Sequence, residues 1–286
     1  RAHGMRFGVG LSPYEIYRDF NADVREALTR KLAFLDEIGI DDLAILFDDM
    51  SGDIPDLAQR QVEIAHWIGE RTVASRLLVC PSYYTDDPIL DRIFGARPAN
   101  YLEDLGRLLD PEIEILWTGE EVCAREFSTA HLARVTAQLC RKPFLWDNYP
   151  VNDGPRMSQF LHLRAFTGRP ARIAAHISAH GVNPASQPHL SRIPVLTLPM
   201  AYEQGENYAY GAALETAAAK VLGPAFAKTL IGDLLVLNDS GLDRLSESAV
   251  MKLRARYSAI DHPAAREIID WLDGGYRITQ EIMDTQ

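Results

Sequence analysis

Residues 43–47 have the sequence Leu-Ala-Ile-Leu-Phe and are followed at once by Asp48 and Asp49. Every position from 43 to 47 is apolar, without the alternation of a strand that has one face in water. Strands of a parallel sheet covered by helices on both sides have this continuous apolar pattern. The stretch therefore predicts a buried parallel strand that ends in two neighbouring carboxyl groups.

Further apolar runs and amphipathic segments alternate on both sides of this strand. Strands are predicted within residues 5–11, 43–47, 77–80, 113–117, 143–146 and 173–182, with helices at 24–38, 57–68, 101–109 and 132–139. Strands that alternate with helices favour a parallel sheet with helices outside. For the helix at 24–38, Asn21 is the expected N-cap, and Gly39 is the expected residue after its C-terminus.

The fold class predicted from this alternation is α/β, of the (β/α)₈ barrel type. Such a barrel needs eight strands in about 250 residues, and six strands are found, so the simplest interpretation is a barrel without its first two βα units. A doubly wound open sheet is the alternative, although no glycine-rich phosphate loop follows any of the strands. The first residues, 1–5, are typical of a helix running into a strand, so the chain is expected to begin inside a domain.

After Asn183 the sequence changes character and becomes rich in alanine and leucine. Helical segments are predicted at 206–237, with a break at 223–224, and at 245–257 and 263–272. We therefore expect a barrel domain at residues 1–204 and a helical appendage at 205–286.

Composition excludes several classes of partner. The 286 residues include 29 Lys and Arg against 40 Asp and Glu, a formal net charge of −11, and 47% of the residues are hydrophobic. Nucleic acid requires a basic stripe and anionic lipid requires positive charge, so neither nucleic acid nor a membrane is an expected partner. The three cysteines, Cys80, Cys123 and Cys140, form no CxxC pair. They indicate a reducing compartment, and a cytoplasmic location is the expectation.

In a barrel, catalytic groups lie at the carboxyl ends of strands, where Asp48 and Asp49 are expected. Burial and mutual repulsion of two adjacent carboxyl groups are expected to keep one of them protonated near neutral pH. A protonated acid beside an ionised one is suited to cleavage of a glycosidic bond. Two other interpretations stay open on these residues alone: a helix cap or solvent-exposed turn, and a site for a divalent metal.

A second candidate cluster follows the strand at 143–146. Residues 146–153 include an aromatic side chain, Trp146, two amides, Asn148 and Asn152, and the carboxylate Asp153. Sugars bind to side chains of these kinds, because a flat aromatic face stacks on the sugar ring and planar amide and carboxylate groups form hydrogen bonds with its hydroxyl groups. The alternative is a purely structural role, in which Trp146 packs in the core and Asn148 is a turn residue. His176 and His180 are spaced by four residues but lack the HExxH pattern, so we expect structural or loop histidines.

Six motifs, taken in chain order, resemble the catalytic domain of glycoside hydrolase family 84, the O-GlcNAcase and bacterial β-N-acetylglucosaminidase family. They are the strand ending in Asp48-Asp49, Pro-Ser-Tyr-Tyr at 81–84, Trp-Thr-Gly at 117–119, Trp-Asp-Asn at 146–148 with Asn-Asp at 152–153, Phe-Leu-His at 160–162 with Thr-Gly-Arg at 167–169, and Gly-Val-Asn-Pro at 181–184. The resemblance covers about residues 5–220.

The resemblance implies retaining hydrolysis of terminal GlcNAc, from a glycan or glycoprotein, in which the 2-acetamido oxygen of the substrate is the nucleophile and an oxazoline forms. Asp48 would orient the acetamido N–H, and Asp49 would act as general acid and then as general base. Tyr84 would lie near the acetamido group, Trp146 would line the pocket and Asn148 would bind the acetamido. Asp153 would bind O4 and O6, and Asn183 would bind O6. No metal and no cofactor are implied.

The sequence departs from the family pattern at three places. The first two strands, which carry sugar-binding residues in the family, are not found. Tyr83 replaces a glutamate, and Glu120 replaces the proline after Trp-Thr-Gly. The missing strands favour an alternative function, a non-catalytic GlcNAc-binding fragment of such an enzyme, whereas the intact aspartate pair favours catalysis.

Overall fold

A computed structural model describes residues 3–279 of the chain. It contains a six-stranded sheet with the strands in chain order, β1 to β6. The strands are β1 Gly8–Leu11, β2 Asp42–Leu46, β3 Arg76–Cys80, β4 Glu114–Trp117, β5 Phe144–Asp147 and β6 Ala179–Val182. Neighbouring strands from β1 to β5 are parallel, with Leu43 opposite Leu77 and Leu116 opposite Phe144. The six predicted strands are thereby confirmed as strands of one sheet.

Ten α-helices connect or follow these strands in the described part of the chain. They are α1 Ala22–Ile38, α2 Leu57–Gly69, α3 Ile89–Phe94, α4 Tyr101–Leu108, α5 Thr129–Leu139, α6 Pro188–Gln204, α7 Tyr210–Leu222, α8 Pro224–Gly232, α9 Glu247–Ser258 and α10 Pro263–Leu272. Among residues 3–279, no helix has both the length and the apolar character that crossing a bilayer requires.

The ends of α1 follow directly from its sequence. The Asn21 side chain accepts a hydrogen bond from the backbone N–H of Val24 at 3.0 Å. Gly39 ends the helix in the left-handed region, with φ of 77°. Both predicted caps are confirmed, because an amide side chain satisfies a free N–H at a helix start and glycine tolerates a positive φ at a helix end.

The chain divides into two compact units. The first contains the residues up to 146 together with 173–181, and the second contains 147–172 together with the residues from 182 onward. The core of the first unit is built around fully buried residues of β2, β3 and β4, including Leu43, Ile45 and Trp117. The core of the second unit joins α6, α7 and α10 through side chains such as Ile193, Ala217 and Trp271. Residues on both sides of position 204 thus share one core, and the boundary at 204 stays a prediction.

Candidate active site

The two aspartates that follow β2 differ strongly in their surroundings. Asp48 is partly buried, and its Oδ1 is inaccessible and has no hydrogen-bond partner. Asp49 is exposed and takes a left-handed backbone conformation, with φ of 54°. Non-glycine residues rarely adopt this region, and they do so mostly where the surrounding structure imposes it. The turn therefore presents one carboxyl group to the protein interior and the other to solvent.

Burial changes the acidity of the inner carboxyl group. Desolvation, and secondly the charge of Asp49, raise the pKa of Asp48 from 3.8 to about 6. Both causes disfavour the ionised form of a carboxylic acid. The expectation of a carboxyl group protonated near neutral pH is not met by Asp48, because an acid with a pKa of about 6 is mostly ionised at pH 7. Asp48 is also the member that the resemblance makes the orienting group rather than the acid.

Tyr84, at the end of the next strand, contacts this pair. Its hydroxyl group donates a hydrogen bond to Asp49 Oδ1 at 3.3 Å. Burial, followed by the charge of Asp49, raises the pKa of the Tyr84 hydroxyl, so the side chain remains a neutral donor. The Tyr84 carbonyl in turn accepts from the backbone N–H of Thr118 at 2.9 Å. Tyr84 is thus fixed between the ends of β2 and β4.

Cys80, the last residue of β3, lies opposite Leu46 of β2, two residues before Asp48. The thiol is fully buried, and burial raises its pKa well above the ordinary range, with the charges of Asp48 and Asp49 adding to the effect. A thiol in this state is a neutral, apolar filler and a poor nucleophile. Cys80 therefore contributes to the low polarity around Asp48.

Trp146 is the last residue of the first unit before the chain enters the second. It lies on β5, is partly buried and packs against the core of the first unit. Its predicted role as a pocket wall stays a prediction, because packing against a core is also the structural alternative.

Asn148, Asn183 and Asp153 belong to the second unit. The Asn183 side-chain amide donates to Asn148 Oδ1 at 2.9 Å, and the Asn183 backbone N–H donates to the Asp147 carbonyl at 2.9 Å. Asp153 is exposed. The structure thus brings the two asparagines together within the second unit, as it brings Asp48, Asp49 and Tyr84 together within the first. That all of these residues line one pocket stays a prediction.

The loop of Asn148 is anchored by a buried ion pair that is not predicted from the sequence. Asp147 and Arg169 are almost fully buried, and two guanidinium nitrogens of Arg169 approach the two carboxylate oxygens at 2.6 and 2.8 Å. A bidentate geometry of this kind fixes orientation as well as distance. In the sequence, the two partners are visible only separately: Asp147 as an aspartate at the end of an apolar strand, and Arg169 as an arginine in a later motif.

Asn152 is a second such anchor. Its amide nitrogen donates to the Phe160 carbonyl at 3.0 Å and to Gln187 Oε1 at 2.8 Å, and its oxygen accepts from the Ser186 N–H at 3.0 Å. A buried amide with this many partners is structural. It holds the backbone next to Asp153.

The two histidines have different surroundings. His176 ends a short 3₁₀ helix, and His180, on β6, packs edge-on against Phe127 with ring centroids 5.9 Å apart. Across residues 3–279, no group of three histidine, cysteine or acidic side chains is arranged to hold a metal ion.

The family model described as beta-N-acetylglucosaminidase matches residues 1–232, most of the chain. This chain belongs to the β-N-acetylglucosaminidase family. The family and the relatives found are glycoside hydrolases, so the resemblance carried by the six motifs is confirmed.

Curated and solved relatives agree with the family. The protein O-GlcNAcases of Mus musculus and Rattus norvegicus are each 26% identical over 219 residues, which cover 72% of this chain and 23% of theirs. A mutant of the O-GlcNAc hydrolase of Thermobaculum terrenum has a similar structure, with a TM-score of 0.73 and 25% identity. That match covers 96% of this chain and 66% of the other. The chain thus spans about a quarter of the length of the curated relatives.

The two residues that depart from the pattern of the β-N-acetylglucosaminidase family have local contacts in the first unit. Tyr83 is fully buried, and its hydroxyl donates to the Gly95 carbonyl at 2.6 Å. Its ring lies where a Cβ on residue 52 would be, so Gly52 makes room for it. Glu120 approaches Nδ1 of His131 at 3.6 Å. Tyr83 thus ties the end of β3 to the loop around Gly95.

Proposed function

We propose that this chain is a retaining β-N-acetylglucosaminidase that removes terminal GlcNAc from a glycan or glycoprotein by substrate-assisted catalysis. The observation that carries the proposal is the buried Oδ1 of Asp48, an acceptor without a donor beside a second carboxyl group. Buried polar atoms are rarely left unpaired, and an unpaired one is often completed by a ligand. The N–H of a 2-acetamido group is a donor of the required kind.

In this proposal Asp48 orients the acetamido group and balances its charge. As the acetamido oxygen attacks the anomeric carbon, the C–O bond to the leaving group breaks, and the nitrogen acquires positive charge in the oxazoline. An ionised carboxylate at the N–H stabilises that charge most strongly where water is excluded. A pKa of about 6 supports this role, because Asp48 is still mostly ionised at neutral pH.

Asp49 is the proposed proton donor. It protonates the leaving oxygen and then accepts the proton of the water that opens the oxazoline. In the free chain Asp49 is exposed. A bound sugar would displace water from it, and loss of hydration favours the neutral acid. The carboxyl separation that distinguishes retaining from inverting enzymes does not apply, because neither carboxylate attacks the sugar.

The remaining predicted residues are proposed to bind the sugar. Tyr84 would contact the acetamido group, and Trp146 would stack on the ring. Asn148 would bind the acetamido group, and Asp153 and Asn183 would bind O4 and O6. The hydrogen bond between Asn148 and Asn183 supports a shared role, since it holds the two amides in one orientation.

The finer structural expectations are proposals as well. We propose that the six-stranded sheet belongs to a (β/α)₈-type barrel, with a barrel domain at 1–204 and a helical region at 205–286. A cytoplasmic location stays a prediction from cysteine usage. The proposed chemistry uses no metal or cofactor, and the proposed partner is the GlcNAc-bearing substrate, with neither nucleic acid nor a membrane expected.

A series of substrates tests the nucleophile directly. Stepwise fluorination of the N-acyl methyl group weakens the acetamido oxygen as a nucleophile without altering the leaving group. We expect kcat to fall with each fluorine on 4-nitrophenyl glycosides, and 4-nitrophenyl β-glucoside to be inert. Equal rates across the series would exclude participation of the acetamido group.

The alternative, a non-catalytic GlcNAc-binding chain, predicts a different outcome. A folded chain that binds GlcNAc by calorimetry but releases no nitrophenol would favour it. Loss of turnover on treatment with a chelator would instead favour a divalent metal at Asp48 and Asp49.

A further inference from the structure

The ladder of backbone hydrogen bonds between β2 and β3 ends directly before the aspartate pair, and its last bond is made by a side chain. The Phe47 N–H donates to the Cys80 carbonyl at 2.9 Å, which continues the parallel ladder one residue beyond β2. In a regular ladder the Phe47 carbonyl would next accept from the backbone N–H of Ser82. It accepts instead from the Ser82 hydroxyl at 2.7 Å. A side chain therefore replaces the last backbone bond.

The displaced N–H of Ser82 enters a closed set of buried hydrogen bonds. It donates to the Tyr101 hydroxyl oxygen at 3.1 Å. The Tyr101 hydroxyl donates to Gln61 Oε1, and the Gln61 amide nitrogen donates to the Ser82 hydroxyl at 2.8 Å. All three residues are at most 2% exposed. We call Gln61, Ser82 and Tyr101 the polar triad.

Only one orientation of the Gln61 amide satisfies every member of the triad. With the amide reversed, the Ser82 hydroxyl would donate to Gln61, and the buried Phe47 carbonyl would lose its donor. The Tyr101 hydroxyl would then also have no acceptor within the triad. Because unsatisfied buried polar groups are costly, the direction of each bond is fixed.

We propose that the polar triad is the positioning unit of the aspartate pair, which it holds through the carbonyl of the Phe47–Asp48 peptide. A peptide group is planar, so fixing the Phe47 oxygen also fixes the plane from which Asp48 projects. Ser82 lies two residues before Tyr84, whose hydroxyl contacts Asp49. The triad thus holds both partners of the Asp49–Tyr84 hydrogen bond. This inference rests on the proposed function.

The structure explains why such support is needed here. The turn after β2 carries a residue with positive φ, Asp49, and a partly buried carboxyl group, Asp48. The backbone N–H of Ser82, which would donate to the Phe47 carbonyl in a regular ladder, donates to Tyr101 instead. Side chains from α2 and α4 supply the missing bonds through Gln61 and Tyr101.

The test compares Ser82→Ala with Ser82→Thr and with a matched control, Thr197→Val. Thr197 is also fully buried, accepts from the Phe166 N–H at 2.9 Å and donates to the Pro194 carbonyl at 2.7 Å, within the core of the second unit. We expect Ser82→Ala to lower kcat on 4-nitrophenyl β-GlcNAc by roughly 10- to 100-fold with little change in KM, because misplacement of reacting groups has effects of this size. Ser82→Thr, which keeps the hydroxyl, should restore kcat, and Thr197→Val should leave it unchanged.

A second readout does not require turnover. Carboxyl ¹³C NMR, with Asp48 assigned by its absence in Asp48→Asn, follows the titration of Asp48. We expect Ser82→Ala to move its midpoint from about 6 toward the ordinary value of 3.8, because a loosened turn admits water, whereas Thr197→Val should not. If Ser82→Ala does not fold, Tyr101→Phe, which releases the Ser82 N–H but keeps its hydroxyl, is expected to shift both readouts in the same direction.

The outcomes separate this inference from the proposed function. A wild-type chain without turnover contradicts the proposed function alone, and the Asp48 titration then decides the inference. A folded Ser82→Ala variant with wild-type titration of Asp48, and with wild-type kcat where there is turnover, would overturn the inference. An equal effect of Thr197→Val on the Asp48 titration and on kcat would also overturn the inference.

Discussion

The burial of Asp48 has a cost to stability. Its carboxyl group is partly buried, one oxygen has no partner, and the pKa is raised to about 6. A folded-state pKa above the unfolded value means that the folded chain binds the proton more tightly. The contribution of Asp48 to stability therefore falls as pH rises from 3.8 to about 6 and stays low above that range.

This predicts that Asp48→Asn stabilises the chain in a pH-dependent way. At pH 8 the variant no longer carries a buried charge, and we expect the free energy of unfolding to rise by about 1–3 kcal/mol. At pH 4 the wild-type side chain is already protonated when folded, so the gain should be small. Urea unfolding at both pH values measures this difference. A gain that is equal at pH 4 and pH 8 would contradict the burial of a charge at Asp48.

Asp49→Asn tests the proton-donor role. We expect kcat/KM to fall roughly 10²–10⁴-fold for alkyl β-GlcNAc glycosides, whose leaving oxygen needs a proton. The loss should be smaller for 4-nitrophenyl β-GlcNAc, because nitrophenolate leaves without one. Steady-state kinetics on the two substrates measure the contrast, and equal losses would exclude Asp49 as the acid.

At the scale of elements, local sequence signals predicted some helices well and missed others. The bounds of α10, Pro263–Leu272, match the predicted segment, because proline at the first turn and the apolar spacing agree. Helix α6 was missed, since Pro194 and Pro199 interrupt its sequence. Proline normally breaks a helix interior, and only tertiary packing, here in the core of the second unit, overrides that preference.

The contact between α4 and α5 gives a prediction at this scale. A Cβ on Gly106 would lie 2.5–2.6 Å from backbone atoms of Leu139, and no change of rotamer relieves a backbone clash. We expect Gly106→Ala to lower the free energy of unfolding by about 2–3 kcal/mol. The control Gly211→Ala, in α7 with no atom within 4 Å of the added carbon, should raise it by about 0.5–1 kcal/mol. Thermal or urea unfolding measures both, and a neutral Gly106→Ala would contradict the close approach of the helices.

Over the whole molecule, the sequence predicted six strands that form one sheet and the family of the chain, and both are confirmed. Strand ends could be predicted because apolar runs stop at polar residues such as Asp48 and Asp147. The polar triad and the Asp147–Arg169 pair could not, because their members lie far apart in the chain and each has an ordinary local context. Distant partners leave no periodic signal in a single sequence.

The most direct measurement is release of nitrophenol from 4-nitrophenyl β-N-acetylglucosaminide by the wild-type chain, by Asp48→Asn and by Asp49→Ala, each checked for folding by circular dichroism. We predict turnover by the wild type, a strong loss in Asp48→Asn and a clear loss in Asp49→Ala. A folded wild-type chain without activity, or variants as active as the wild type, would contradict the claim that this aspartate pair carries out the hydrolysis.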